Sequence, residues 1–186
     1  MVLSSNNCPA LVLNADYQPL SYYPLSTWSW KNALKAVFLE RVNVVSQYNE
    51  VVRSPSVTLK LPSVVSLKDY IPLPEKAAFT RFNVFLRDKF RCQYCLKSFK
   101  VEELTFDHVT PKSRGGKTTW ENVVTACRKC NTYKGNKSLK KIGINLKESP
   151  YTPNNFELKE IGRMFPPNFL HQSWNDFLYW DSELEP

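Results

Sequence analysis

The sequence predicts an α+β protein in three parts, and three observations carry that prediction. Residues 1–80 alternate short apolar runs with one amphipathic helical stretch and hold no cluster of reactive side chains. Residues 81–145 carry two Cys-x-x-Cys pairs and 15 lysines and arginines against 5 carboxylates, a net charge of +10. Residues 146–186 reverse the charge to −4 and are rich in aromatics. At 186 residues and 42% hydrophobic content, the chain has the composition of an ordered globular protein.

In the first part, Leu11-Val-Leu-Asn reads as a short strand, with a turn after it at Asp16-Tyr17-Gln18-Pro19. Residues 28–40 read as a helix: Trp30, Ala33, Leu34, Val37 and Phe38 share one face, and Ser26 or Thr27 can cap its start. Residues 42–46 and 51–53 read as a hairpin around Tyr48-Asn49-Glu50. Pro55, Pro62, Pro72 and Pro74 divide the rest of this part into short extended pieces. The role expected of residues 1–80 is scaffold or partner docking. In the second part, residues 79–90 read as a short helix that turns Phe82, Phe85 and Leu86 inward and Arg81, Arg87 and Lys89 outward. The third part, 146–186, holds Phe156, Phe165, Phe169, Trp174, Phe177, Tyr179 and Trp180. So many aromatics predict an extension packed on the body or on a partner.

Five cysteines in a chain with no secretory leader pattern point to metal before disulfides, because four of them form the pairs Cys92/Cys95 and Cys127/Cys130. Two residues between ligands let both sulfurs of a pair reach one ion from a tight turn. Four thiolates make a closed tetrahedral site for structural Zn²⁺, with no position left for a reacting water. Cys8 is left over and reads as a small buried apolar residue. The 31 residues between the pairs exceed a simple zinc ribbon. They contain Thr105-Phe-Asp107-His108-Val-Thr-Pro111-Lys-Ser-Arg114-Gly115-Gly116 and then Trp120-Glu121-Asn122, and the second pair runs into Cys130-Asn131-Thr-Tyr-Lys134-Gly-Asn-Lys137.

That run resembles the HNH endonuclease family, with its Asp-His, Asn and Cys-x-x-Cys-Asn-x-x-Lys elements in order, over residues 81–145. Residues 11–80 resemble, more weakly, the segment that precedes such modules in bacterial proteins. The resemblance implies a zinc-stapled ββα-metal module that cuts DNA with one Mg²⁺ or Mn²⁺. It implies that His108 deprotonates the attacking water, that Asn122 fixes the loop orienting the histidine, and that Asp107 and Asn131 hold the cation. Asparagine stands at position 131 where the family often has histidine, which implies a weak cation site completed by substrate phosphate.

The residues can be read beside that likeness. His108 is one of only two histidines and has the ordinary pKa of a general base near neutrality; its plainer role is a structural histidine. Asp107 and Asn131 offer hard oxygens suited to Mg²⁺ or Mn²⁺; their plainer roles are a turn carboxylate and a helix N-cap. Asn122 is otherwise an ordinary turn residue. Adjacent strand residues point to opposite faces, so Asp107 and His108 share a site only where the strand ends or bends. Arg114, Lys134 and Lys137 are the candidate phosphate contacts, alternatively solvated charges. Gly115 and Gly116 let the loop bend, and Trp120 and Phe106 read as core.

DNA is therefore the expected partner, with RNA not excluded, and a homodimer or protein partner is possible through the N-terminal segment or the tail. No apolar run approaches a membrane span, and the expected compartment is the cytoplasm. Two other functions fit the same residues: a zinc-dependent nucleic-acid-binding module without catalysis, and an RNase on the same fold. One site per chain predicts nicking by a monomer.

Overall fold

A computed structural model describes residues 8–165 and 169–178. Tyr179 and Trp180 lie outside the described residues. The chain separates into two compact units: one formed by the described residues up to Leu73 together with those from Gly162 onward, the other by Pro74–Ile161. The aromatic tail is thus divided between the units.

The first unit is built on a four-stranded sheet. Strand β1 (Ala10–Leu13) is buried along its whole length, as a continuous apolar run in a central strand should be. It pairs antiparallel with β2 (Thr27–Trp28) and parallel with β4 (Thr58–Leu67), and β4 pairs antiparallel with β3 (Val42–Arg53), giving the order β2-β1-β4-β3. Helix α1 (Trp30–Phe38) lies between β2 and β3 in sequence. It starts two residues later than its apolar pattern predicts, because Trp28 pairs with Ala10 in the sheet. Ser29, not Ser26 or Thr27, is the cap: its Oγ accepts Asn32 N–H at 3.3 Å. Ala33 and Ala36 are buried beneath the helix, while Phe38, expected on the same face, is 69% exposed.

No turn forms at Tyr48-Asn49-Glu50, where one is expected. β3 runs unbroken through these residues, Tyr48 is buried, and its hydroxyl donates to the Pro9 carbonyl at 2.6 Å. The reversal comes at Ser54, whose N–H donates to Val57 O at 2.8 Å. The register slips three times between Val44 and Val51, and those irregularities absorb the polar residues that resemble a turn. Pro62 does not break β4. It pairs opposite Gln47, inside the irregular stretch where a missing N–H is tolerated.

The core of this unit is completed from the tail. Trp174 is buried among Leu11, Leu13, Tyr22 and Val64, and its Nε1–H donates to Ser63 O at 2.8 Å. Cys8 packs with Tyr48 and Leu61 as a small apolar group.

The second unit begins with helix α2 (Arg81–Arg87), capped by Thr80, whose Oγ1 accepts Asn83 N–H at 3.1 Å. A two-stranded antiparallel hairpin comes next, β5 (Leu104–His108) against β6 (Val123–Cys127), and then helix α3 (Arg128–Lys134) directly. Helix α4 (Asn155–Arg163) is capped reciprocally at its start: Asn154 N–H donates to Glu157 Oε2, and Glu157 N–H donates to Asn154 Oδ1. The boundary between units falls within it. A last helix, α5 (Asn175–Leu178), belongs to the first unit. Among the described residues, no helix is long and apolar enough to cross a membrane.

Candidate active site

The four paired cysteines converge. Their sulfurs all lie within 4.8 Å of one another, with Cys92 and Cys127 buried. Cys92 and Cys95 sit on a tight knuckle in which Leu96 N–H donates to Cys92 O at 2.8 Å and Leu96 takes a φ of 59°. Cys127 ends β6 and caps α3, and Cys130 lies nearly one turn further on. A tetrahedral zinc with bonds of about 2.3 Å has sulfur–sulfur edges of roughly 3.8 Å, so this donor set fits Zn²⁺. Tyr94, Phe99 and Ala126 shield the cluster.

The same hairpin carries the histidine. β5 ends at His108, paired opposite Val123, and Asp107 pairs opposite Val124. Alternation along the strand sends the two side chains to different partners. His108 Nε2 is 2.9 Å from Thr118 Oγ1 in the connecting loop, and its ring meets the Phe106 ring edge-on at 5.9 Å. Burial, then the nearby Lys112 charge, holds the His108 imidazole below its ordinary pKa. Asp107 is 8% exposed and turns toward α3, where its Oδ2 accepts from the Tyr94 hydroxyl at 2.5 Å and pairs with Lys134 Nζ at 2.8 Å.

Asn122 closes the loop between the strands. Its Oδ1 accepts Thr110 N–H at 2.8 Å, and its Nδ2 donates to Thr110 O at 3.1 Å and to Lys117 O at 2.8 Å. A side-chain amide thereby imitates a peptide partner and fixes the segment just after His108. Gly116 is required there: a Cβ would lie 1.8 Å from Thr110 O. Asn131 is not a helix cap. It lies inside α3, and its Nδ2 donates to Thr105 Oγ1 at 2.9 Å, two residues before Asp107 on the same side of β5.

Three placements differ from expectation. Lys134, expected to face phosphate, is fully buried on Asp107 and on the His108 carbonyl at 2.7 Å. Its position in the helix is the signal for this: Cys127, Cys130, Asn131 and Lys134 share one face. Phe106, expected in the core, is 37% exposed beside His108, with the Arg81 guanidinium 5.4 Å from its ring centre. Arg87, expected to face water, is buried. It donates to the carbonyls of Trp120 (2.8 Å), Val123 (2.7 Å) and Tyr151 (3.0 Å) and pairs with Asp88 at 2.8 Å. Asp88 Oδ2 in turn accepts Thr125 N–H at 2.6 Å. The pair staples both residues flanking the Glu121-Asn122 turn to α2. Arg114 and Lys137 remain exposed as expected, and Trp120 is core.

A four-thiolate cluster locked to a hairpin that presents a histidine, a buried carboxylate and two asparagines defines a nuclease-type module. Residues 92–147 match the sequence model of the HNH endonuclease, and residues 10–75 match that of the HNH endonuclease-associated N-terminal domain. The chain belongs to the HNH endonuclease family. It is also similar to a CRISPR-associated endonuclease Cas9 of Corynebacterium diphtheriae, 34% identical over 64 residues. That stretch is 34% of this chain and 6% of the relative, so the chain spans a small part of that protein's length.

Proposed function

We propose that the protein is a DNA endonuclease of the ββα-metal type, hydrolysing a phosphodiester bond with His108 as general base and nicking one strand per monomer. The observation that carries this reading is the Asn122 clamp, which fixes the loop bearing Thr118 and so holds His108 Nε2 in place. With Nε2–H donated to Thr118, Nδ1 keeps the lone pair that takes the proton of an attacking water. The low-lying imidazole pKa keeps that lone pair available at neutral pH. Asp107 and Asn131 are the residues to hold Mg²⁺ or Mn²⁺. Asp107 Oδ1 has no protein donor among the described residues, and Asn131 uses its nitrogen on Thr105, which leaves its amide oxygen as the ligand atom. Bound there, a divalent cation supplies positive charge to the phosphate oxygens and to the departing 3′ oxygen. Cys92, Cys95, Cys127 and Cys130 would hold Zn²⁺, which would fix the end of β6 and the start of α3 and so the scaffold of the site. Exposed Arg114 and Lys137, with Arg81 and Phe106 beside the histidine, form the surface for the nucleic-acid backbone.

One observation favours the rival, a zinc-dependent binding module without catalysis: Lys134 already neutralises Asp107. Nicking of supercoiled plasmid separates the two. The zinc-loaded protein is expected to nick with Mg²⁺ or Mn²⁺ and not with EDTA. His108→Ala is expected to lose at least about a hundredfold in rate while still retarding DNA. Salt-sensitive DNA binding without cleavage under either metal would instead select the binding module. A matched RNA substrate decides between DNase and RNase.

A further inference from the structure

The buried Lys134 has no part in the proposed chemistry, yet it touches two residues of the site. Its ammonium lies 2.8 Å from Asp107 Oδ2 and donates to His108 O at 2.7 Å. One side chain of α3 therefore ties down the last two residues of β5. The Tyr94 hydroxyl donates to the same Oδ2, so the two contacts on this carboxylate both fall on one oxygen. A carboxylate fixed through Oδ2 has a set direction for Oδ1.

We propose that Lys134 is a positioning residue with a second effect: it aims Asp107 Oδ1 at the catalytic cation and keeps the affinity for that cation low. The inference rests on the proposed function and deepens its cation site. A fixed positive charge and a divalent cation share one carboxylate, and like charges this close repel strongly in a buried setting. The one carboxylate of the two protein ligands is thus partly neutralised before the cation arrives. The negative charge of a substrate phosphodiester offsets the ammonium, so the site fills fully only when nucleic acid is present. Cation binding and substrate binding become coupled through one lysine.

The test titrates Mn²⁺ into zinc-loaded wild type, Lys134→Met and Lys134→Gln without nucleic acid, reading free Mn²⁺ by electron paramagnetic resonance. The half-saturating Mg²⁺ for plasmid nicking is measured in parallel. Both variants are expected to bind Mn²⁺ on the order of tenfold more tightly than wild type. Their turnover at saturating cation is expected to fall, because Asp107 and His108 lose their common tether. A purely structural lysine would lower turnover and stability with no gain in cation affinity. Lys134→Gln removes the charge but keeps a donor for His108 O, so it gives the reading if Lys134→Met loses its zinc. Unchanged or weaker Mn²⁺ binding in a variant that keeps its zinc overturns the inference. So does an equal gain in Tyr94→Phe, which removes a hydrogen bond and no charge. A wild type that neither binds Mn²⁺ nor nicks DNA overturns the proposed function, and this inference with it.

Discussion

The two units of this chain are held together by different physics. The first has an ordinary apolar core: Leu11, Leu13, Val64 and Trp174 are each within 1% of complete burial, and the sheet beneath them is continuous. The second also buries apolar residues, among them Val84, Phe85, Leu86, Trp120 and Val123. Much of its remaining order comes from four sulfurs, a buried Arg87–Asp88 pair and a buried Lys134–Asp107 pair. An apolar core depends on volume and tolerates exchange of similar residues. A core of thiolates and ion pairs depends on particular atoms, and fails when one is removed. The proposed reaction sits in the second unit, where fixed polar groups are what the chemistry needs.

The largest expected effect that separates the units is removal of zinc. Structural zinc in small modules contributes on the order of 10 kcal/mol or more to folding, comparable to the whole net stability of a typical domain. Chelation, or Cys127→Ser, is expected to collapse the second unit alone. In two-dimensional NMR the indole signal of Trp120 should lose its native shift while that of Trp174 keeps it. Loss of both together would mean that the first unit also depends on the metal.

Arg87→Met is the next largest. It removes the arginine donor from three carbonyls and leaves the Asp88 carboxylate with Thr125 N–H but no countercharge, in a site where the arginine side chain is 1% exposed. Breaking a buried pair in this way costs roughly 3–5 kcal/mol. A urea melt followed at Trp120 should move to lower denaturant with zinc still bound, and nicking should fall because the Asn122 turn is no longer stapled. A change within about 0.5 kcal/mol, as for an ordinary surface position, would return Arg87 to the solvated role its sequence suggests.

That contrast also explains what the sequence can disclose. The four cysteines, His108 and Asn122 are legible because their spacing is short and their chemistry specific. Arg87 is not. Its partners are carbonyls of residues 120, 123 and 151, and a carbonyl leaves no trace in residue type. In a segment of net charge +10 a buried arginine looks like any other. Lys134 is hidden for the same reason, although its helical face points to it. In the first unit the apolar β1 is legible from its apolar run, whereas the length of β3 is not. Its polar middle carries turn-forming residues that the sheet absorbs as register slips. The packing of Trp174 beside Leu11 joins residues at opposite ends of the chain, which no local pattern encodes.

The smallest expected effect concerns the first unit and its pH dependence. His171 stacks edge-on against Tyr48 at 4.5 Å, and its Nδ1 accepts Ser173 N–H at 3.3 Å at the start of the turn that delivers Trp174. Burial holds its pKa below the ordinary 6.5. The unfolded chain therefore binds the proton more readily than the folded one. The stability His171 contributes is complete above its unfolded pKa and is lost as pH falls through the folded value. His171→Asn keeps an acceptor at the cap and removes the titration. Between pH 7 and pH 5, the melting temperature read at Trp174 should fall further in wild type than in His171→Asn. Parallel curves would mean that the imidazole is already solvated in the folded unit, and that the apolar core holds Trp174 in place without help from this side chain.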